Sequence, residues 1–283
     1  MNPLWLQEIV HDALNEDIGQ GDLTTEALIP AEMMGEAIFL AKGAGVVAGH
    51  ETVKEVYRQL DPQVRLHLER ENGDRVEPGM VIARAEGSIR SLLIGERVAL
   101  NFLQRLSGIA SMTRGVVDQL EGLTCRVLDT RKTTPGLRLL EKAAVYAGGG
   151  VNHRFGLGHG VMIKDNHIAA AGSLSQAVKQ VRSRLGHMVQ VEVEADTLEQ
   201  VKEALSLDVD AILLDNMNLD QLREAVHCID GRVWTEASGG ITPTTAREIA
   251  QTGVNGISLG WLTHSPTALD ISLDLIVKKE VLS

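Results

Sequence analysis

Basic side chains concentrate in one stretch of this acidic chain, between residues 129 and 167. The stretch carries six Lys or Arg and three Asp or Glu residues, a net charge of +3, whereas the 283-residue chain has a formal net charge of −11. Arg131 and Lys132 end one strand-like apolar run, and Lys164 ends another. Cations held together repel by about 1 to 4 kcal/mol per pair at about 4 Å. The pattern therefore indicates a site for a small molecule with several carboxylates or phosphates, with a solvated basic surface as the alternative.

Carboxylates end two further apolar runs. Glu194 follows the run VQVEV, with Glu192 two residues earlier, and Asp215 ends the run AILLD. Pairs of carboxylates on neighbouring strands supply the oxygen ligands that Mg²⁺ prefers, usually together with the phosphates of a substrate. The alternative is that these acids only form ion pairs with the basic cluster.

Small residues follow the last two apolar runs. In these turns, free N–H groups and helix N-termini commonly form a phosphate site; ordinary tight turns are the alternative. The residues concerned are Ser238, Gly239, Gly240, Ser258 and Gly260.

The elements that must position these residues alternate between strand and helix. Beyond residue 124, six short apolar runs alternate with segments of helical periodicity, which predicts parallel strands joined by right-handed crossovers. The helical segments lie near 137–147, 173–185, 197–206, 218–228 and 243–252. Six such units are fewer than the eight of a full TIM barrel. The fold class predicted is therefore α/β, an incomplete TIM-like α/β barrel over residues 111–267.

The first 110 residues predict a smaller α+β sandwich domain. Helical periodicity covers residues 4–16, a turn is expected at 22–25, and Asn72-Gly73 is typical of a hairpin turn. Residues 91–120 are helical in pattern, with a break expected at Gly108. The alternating tail, residues 268–283, is expected to return to this domain as a strand.

Composition excludes several classes of protein. The acidic charge balance argues against general nucleic-acid binding, which needs a broad basic field. The two cysteines have no metal-ligand spacing, and no run of 18 apolar residues predicts a spanning helix. The N-terminal segment lacks the pattern of a signal peptide. A cytoplasmic enzyme is expected.

Three motifs resemble the quinolinate phosphoribosyltransferase family, and the resemblance extends through nearly the whole chain. They are DTRKTTPGLR from residue 129, NHR from residue 152 and IKDNH from residue 163. The resemblance implies transfer of phosphoribosyl from 5-phosphoribosyl 1-pyrophosphate to quinolinate with decarboxylation. The products are nicotinate mononucleotide, CO₂ and pyrophosphate, in NAD biosynthesis. It also implies Mg²⁺ and a homodimer with active sites shared between subunits, with a hexamer left open.

The resemblance also implies a role for each site residue. The carboxylates of quinolinate are expected to bind the partner subunit's Arg97, together with Arg131, His153 and Arg154. Thr130 and Lys164 are further expected substrate-binding residues. Lys132, Lys164, Glu194 and Asp215 are the expected catalytic residues, and the last two are the expected metal ligands. The small residues of the last two turns are expected to bind the ribose 5-phosphate. Without the resemblance, Arg97 reads as part of an exposed helical ion pair with Glu96.

Other readings stay open from the sequence. One is a paralogous phosphoribosyltransferase-like protein linked to molybdenum transport, which shares the expected fold. Another is a non-catalytic binding module, because residues 73–82 resemble half of a biotinyl or lipoyl carrier motif. A third is an aldolase, which would need a Schiff-base lysine in an apolar pocket.

Overall fold

The structure, a computed structural model, describes residues 2–277, which divide into two compact units. The first unit contains the chain up to Arg114, Thr134–Gly149 and the segment from Ser265 onward. The second contains Gly115–Thr133 and Gly150–His264. The domain limits expected at residues 110 and 267 stay predictions about which parts fold independently.

The strands and helices follow the chain order. The strands are β1 (Met34–Ala41), β2 (Gly45–Val46), β3 (Arg65–Leu68), β4 (Arg75–Val76), β5 (Val81–Ser88), β6 (Arg126–Leu128), β7 (Val161–Ile163), β8 (Val191–Ala195), β9 (Ala211–Asp215), β10 (Trp234–Ser238), β11 (Gly256–Ser258) and β12 (Ile271–Val277). The helices are α1 (Pro3–Ile18), α2 (Leu23–Leu28), α3 (His50–Leu60), α4 (Ile89–Gln119), α5 (Arg138–Ala147), α6 (Asp165–Ala171), α7 (Leu174–Arg184), α8 (Leu198–Ala204), α9 (Leu219–Ile229), α10 (Ala246–Ala250) and α11 (Trp261–His264). None of the helices in residues 2–277 is long and apolar enough to cross a bilayer.

The first unit is built on an antiparallel sheet with the strand order β12-β1-β5-β3. Alternate residues of β1 are buried, so Ala37, Phe39 and Ala41 face the core. The ring of Tyr57 on α3 meets Phe39 edge-on, with 6.4 Å between ring centroids. β12 pairs with β1 along its whole length, and the part of the tail after residue 277 lies outside the described residues.

Two turns expected in the first unit have different structures. Residues 22–25 were expected to form a turn, but they begin the short helix α2, because the Asp22 carboxylate accepts the N–H groups of Thr24 and Thr25 at 3.0 and 2.9 Å. Asn72 does not join paired strands, since β3 pairs with β5 and β4 pairs with β2. Its side-chain oxygen instead accepts the N–H of Gly49, the N-cap residue of α3, at 3.0 Å.

The helix break expected at Gly108 is also wrong, because α4 runs without interruption from Ile89 to Gln119. A Cβ atom at Gly108 would lie 2.1 Å from the carbonyl oxygen of Thr267. The glycine is therefore required by the close approach of a neighbouring backbone, and helical hydrogen bonding continues through it.

The second unit contains a six-stranded parallel sheet in the order β6-β11-β10-β9-β8-β7. All six predicted strands are present, which confirms the fold class. Val151 adds a parallel bridge to Leu128 on the outer side of β6. Among residues 2–277, β6 and β7 are not paired with each other, so hydrogen bonding does not close the barrel. Because all six strands run the same way, their carboxyl ends meet at one edge, where the polar residues lie.

Candidate active site

Three acidic side chains meet at the carboxyl ends of β8 and β9. Carboxylate oxygens of Glu194, Asp196 and Asp215 lie within 4.8 Å of one another. Lys164, directly after β7, donates a hydrogen bond to Glu194. The lysine therefore balances part of the negative charge, and the three carboxylates offer oxygen ligands that fit a hard cation such as Mg²⁺.

Asn216 connects this acidic group to the turn after β10. Its side-chain amide donates to Asp215 Oδ2 at 2.6 Å, and its backbone N–H donates to the carbonyl of Ser238 at 3.0 Å. Its backbone is left-handed, with φ of 53°, a conformation that asparagine tolerates better than most residues. A Cβ atom at Gly239 would lie 2.2 Å from Asn216 Oδ1. The turn therefore needs glycine, and the position of Asp215 is coupled to the Ser238-Gly239-Gly240 turn.

Lys132 lies against the turn that follows β11. The hydroxyl of Thr130 accepts the backbone N–H of Lys132 at 3.0 Å, and the Thr263 hydroxyl donates to the Lys132 carbonyl at 2.8 Å. A Cβ atom at Gly260 would lie 2.8 Å from Lys132 Cδ, so the aliphatic stem of the lysine passes over this glycine. Ser258 is buried at the end of β11, and its hydroxyl faces Glu236.

A fully buried carboxylate positions the segment that carries His153 and Arg154. Asp129 accepts the side-chain amide of Asn152 at 2.6 Å and the backbone N–H of His153 at 2.9 Å. The Arg154 N–H donates to His153 Nδ1 at 2.7 Å, which places the ring proton of neutral His153 on Nε2. That N–H points at Glu192 Oε2, 3.1 Å away.

Arg131 lies close enough to Arg154 for its positive charge to affect the pKa of Arg154. Burial, and then the positive charge of Arg131, lower the pKa of Arg154 below its usual value, while Glu192 opposes the shift. The Nη1 atom of Arg154 donates to the Gly160 carbonyl at 2.9 Å. Two guanidinium groups held near each other favour an anion with more than one negative charge.

Two buried glutamates lie next to His153, Glu192 on β8 and Glu236 on β10. Glu236 is only 2% exposed, and its Oε2 atom is 3.7 Å from His153 Nε2. Burial, and then the charge of Glu192, raise the pKa of Glu236 to about 7, against the opposing effects of His153 and Ser258. Within residues 2–277, Glu236 Oε1 and Ser258 Oγ are buried without a hydrogen-bond partner. A cavity of about 530 Å³ reaches this cluster.

The two groups of acids differ in their suitability for a metal ion. His153, Glu192 and Glu236 are close enough to bind one, but the Nε2 atom that faces the carboxylates carries the ring proton. Glu194, Asp196 and Asp215 present only oxygen atoms and lie at the edge of the sheet. The outer group is therefore the better candidate for a divalent cation.

The structure brings most of the predicted site residues together in the second unit. Lys164 meets Glu194, Lys132 meets Thr130 and Gly260, Asp215 is tied to the Ser238–Gly240 turn, and Arg131 lies near Arg154 and its neighbour His153. Arg97 is different, since it is exposed on α4 in the first unit.

The sequence assigned no specific role to several residues of the site, although some of them stand at predicted strand ends: Asp129, Asn152, Asp196, Asn216 and Glu236. Asp196 has a sequence signal, because it directly follows β8 and lies two positions after Glu194. Asp129 and Asn152 are 23 residues apart, and their contact depends on the parallel bridge of Val151 to Leu128. Asn216 is adjacent to Asp215, but its bridging role depends on the pairing of β9 with β10.

Comparison with known proteins gives matches over both units. The family model described as quinolinate phosphoribosyl transferase, C-terminal domain, matches residues 109–274, and the corresponding N-terminal domain model matches residues 22–107. A probable nicotinate-nucleotide pyrophosphorylase [carboxylating] of Bacillus subtilis is 49% identical, over 99% of this chain and 96% of its own length.

Similar relatives include a plant protein and a solved bacterial structure. A mitochondrial quinolinate phosphoribosyltransferase [decarboxylating] of Nicotiana glauca is 44% identical, over 95% of this chain and 82% of its own. The crystal structure of NadC from Streptococcus pyogenes aligns with a TM-score of 0.95 and 42% identity, over 99% of both chains.

The raised pKa of Glu236 predicts a specific pH dependence of stability. The pKa is about 7 in the folded protein, against an ordinary value of 4.5. Unfolding therefore releases a proton between these values, and this stability contribution is lost as the pH rises from about 5 to about 7. Glu236→Gln has no proton to lose. We measure the free energies of unfolding of the variant and the native protein by urea titration at each pH. The value for Glu236→Gln minus the value for the native protein should increase from about pH 5 to about pH 7 and stay constant above that range.

Glu55→Gln is the matched control for that measurement. Glu55 is also buried, but its hydrogen bonds with Arg58 hold its pKa below the ordinary value. The contribution of Glu55 to the free energy of unfolding therefore changes only at more acidic pH. Above about pH 5, the difference in free energy of unfolding between Glu55→Gln and the native protein should stay constant. Equal pH dependence of native protein and Glu236→Gln would contradict a proton on Glu236.

Proposed function

The chain belongs to the quinolinate phosphoribosyltransferase family, and on that premise we propose which of its residues carry out the family's reaction. The protein transfers the phosphoribosyl group of 5-phosphoribosyl 1-pyrophosphate to quinolinate. Nicotinate mononucleotide, CO₂ and pyrophosphate are the products, in NAD biosynthesis. The relatives named above support neither the molybdenum-transport paralogue nor a non-catalytic binding module.

The arrangement of charge along one sheet edge is the observation that carries the assignment of residues. The end of β6 and the 151–154 segment supply the cations Arg131 and Arg154, with His153 beside them. β8 and β9 supply a group of carboxylates, balanced by Lys164 from the end of β7. Glycine turns follow β10 and β11, and Lys132, which comes after β6 in the chain, lies over Gly260. One edge therefore offers separate positions for a dicarboxylate, a cation with pyrophosphate, and a phosphate.

Quinolinate is proposed to lie against Arg131, Arg154 and His153, with Thr130 beside them. A guanidinium matches a carboxylate with two parallel hydrogen bonds, and two such groups suit adjacent carboxylates on a planar ring. Fixing both carboxylates also fixes the direction of the ring nitrogen, which is the attacking atom. Positioning of this kind supplies a large share of the rate enhancement in a bimolecular transfer.

Phosphoribosyl pyrophosphate is proposed to span the other strand ends. The Ser238-Gly239-Gly240 turn, Gly260 and Ser258 are assigned to its 5-phosphate. Lys132 and Lys164 are assigned to the pyrophosphate, where they stabilise the negative charge that develops on the leaving group. Glu194 and Asp215 face the ribose, where positive charge develops at C1 as the bond to pyrophosphate breaks.

The same carboxylates are proposed to hold Mg²⁺, with Asp196 as a further ligand. Their oxygen atoms are the ligands this cation prefers, and their spacing within 4.8 Å fits a shared ion. When bound, the cation neutralises charge on the pyrophosphate. The hydrogen bond that Lys164 donates to Glu194 balances part of the negative charge of the group.

In the reaction, the C1–O bond to pyrophosphate breaks and a bond forms between C1 and the ring nitrogen. The ring then carries a positive charge. Loss of CO₂ from the 2-carboxylate leaves its electron pair on the ring carbon, which the cationic ring stabilises and which a proton then neutralises. Release of the carboxylate from Arg131 or Arg154 accompanies this step.

We further propose a homodimer in which Arg97 of one subunit completes the site of the other. The family resemblance supports this assignment, and so does the position of Arg97, which is exposed on α4 and available to a second subunit. The cytoplasm is the proposed location, because the two cysteines are free thiols, which suits a reducing compartment.

A coupled assay tests the function. Purified protein receives Mg²⁺, phosphoribosyl pyrophosphate and either quinolinate or nicotinate, while pyrophosphate and CO₂ are both measured. We expect equal release of the two products with quinolinate, almost none with nicotinate, and loss of activity on chelation of the metal. Pyrophosphate release with nicotinate alone would overturn the assignment of the basic residues to a dicarboxylate.

Replacement of Arg131 tests the dicarboxylate position. A charged bidentate contact contributes roughly 1.5 to 3 kcal/mol, so Arg131→Ala should raise the KM for quinolinate and lower turnover, with kcat/KM reduced by at least about tenfold. Arg126→Ala is the control, since Arg126 lies at the opposite end of β6 and stacks over Trp234. Unchanged kinetics in Arg131→Ala would remove this residue from the site.

Mixing two inactive variants tests whether sites are shared. Arg97→Ala and Lys164→Ala proteins are each expected to lose activity. After subunit exchange, a mixed dimer contains one site with both residues intact, so up to about half of the sites in such dimers regain activity. Subunit exchange is monitored independently with differently tagged chains. Exchange without any recovery of activity would show that Arg97 serves its own chain.

A further inference from the structure

The ring of His153 faces the carboxylates of Glu192 on β8 and Glu236 on β10. It can donate a hydrogen bond to only one of them. Its Nδ1 atom accepts the backbone N–H of Arg154, which leaves the single proton on Nε2. That proton faces Glu192 Oε2 at 3.1 Å, while Glu236 Oε2 lies farther away at 3.7 Å. Glu236 therefore has no full hydrogen bond from the ring.

The rest of the Glu236 carboxyl group is also poorly matched to a negative charge. Its Oε1 atom is buried without a hydrogen-bond partner among residues 2–277. A buried carboxylate with an unpaired oxygen destabilises the fold, and a neighbouring carboxylate increases that cost. A neutral carboxyl group relieves both problems, because its own O–H can donate within the cluster.

The groups around Glu236 agree with this protonation state. Glu192 on β8 and Asp129 after β6 favour the neutral form, whereas His153 and Ser258 on β11 favour the charged form. Burial is the largest effect, and together they raise the pKa of Glu236 to about 7. The carboxyl group is thus poised to change its charge near neutral pH.

We infer that Glu236 is a positioning residue, which holds a proton behind His153 so that the substrate's two carboxylates meet a strongly cationic site. Loss of that proton places a second negative charge next to His153. Glu192 already acts on Arg154, so the added charge offsets the attraction that Arg131 and Arg154 exert on a dianion. This inference rests on the proposed function, in which these residues bind the dicarboxylate.

The effect should be specific to the dicarboxylate substrate. His153 and Arg154 are next to the cluster and line the same cavity as Glu192 and Glu236. Ser258, assigned to the 5-phosphate, also faces Glu236. The cations assigned to the pyrophosphate are engaged elsewhere, since Lys164 pairs with Glu194 and Lys132 lies over Gly260. Ionisation of Glu236 is therefore expected to change the KM for quinolinate much more than the KM for phosphoribosyl pyrophosphate.

The experiment measures both KM values between about pH 6 and pH 8.5, a range in which both carboxylates of quinolinate stay ionised. In the native protein we expect the KM for quinolinate to be level below about pH 7. Above about pH 7, the KM for quinolinate should rise by up to about tenfold per pH unit. That limit applies when quinolinate binds only to protein with a protonated Glu236. The KM for phosphoribosyl pyrophosphate should stay nearly level.

Glu236→Gln is the decisive variant, because it keeps the shape of the side chain and fixes its charge at zero. Its KM for quinolinate should stay level over the whole range, near the low-pH value of the native protein. Glu55→Gln should keep the native rise, since Glu55 is a buried glutamate in the first unit with Arg58 as its partner. A flat native profile, or an equal rise in Glu236→Gln, would overturn the inference.

A second measurement keeps the inference testable if Glu236→Gln does not fold. Infrared spectra of the native protein in D₂O should show a carboxylic acid band that persists to about pH 7 and then disappears. Absence of such a band at pH 6 would overturn the inference.

Product formation from quinolinate with a level KM would reject only the role of Glu236. No product at any pH would reject the proposed function itself.

Discussion

Parallel backbone pairing in the order β6-β11-β10-β9-β8-β7 is the constraint on which the site depends. Each strand contributes only a few residues, and paired neighbours such as β6 and β11 are separated by more than 120 residues of chain. Parallel hydrogen bonding nevertheless places all their carboxyl ends at one edge. The apolar side chains of Val193, Ile212 and Ile257 hold this sheet in the core. Glu194 and Asp215 lie beyond them, towards the carboxyl ends of β8 and β9.

Electrostatic balance within this edge explains how strongly charged groups can lie together. Lys164 is paired with Glu194, and Asp215 accepts a hydrogen bond from Asn216. Burial, and then the positive charge of Arg131, lower the pKa of Arg154. The part around Lys164 and Glu194 suits a cation with its phosphates, and the part with Arg131 and Arg154 suits a dianion. The division of charge thus matches the two substrates of the family.

Backbone conformations join these parts into one site. Asp129 is fully buried and fixes the start of the His153-Arg154 segment through two hydrogen bonds. The left-handed backbone of Asn216 and the absence of a side chain at Gly239 allow β9 and β10 to end in contact. These residues touch no proposed substrate atom, but they determine where the charged side chains point. Support of this kind is what holds a site to a narrow geometry.

Sequence patterns alone predict the six strands, their alternation with helices, and most of the charged residues at their ends. Hydrophobic periodicity and the chain order of polar residues are local properties, so they can be read without coordinates. Even α4 was recognised as helical, although the break expected at Gly108 was wrong because the contact with Thr267 comes from a distant segment.

Which of these residues come into contact depends on the folded chain. The contacts of Asp129 with Asn152, and of His153 with Glu192 and Glu236, join residues separated by 23 to 83 positions in the chain. The protonation of Glu236 depends on burial and on the charges around it, and neither is a property of the local sequence. Strand pairing and desolvation are set by the folded chain as a whole, which is why sequence patterns identified the charged groups but not their electrostatic state.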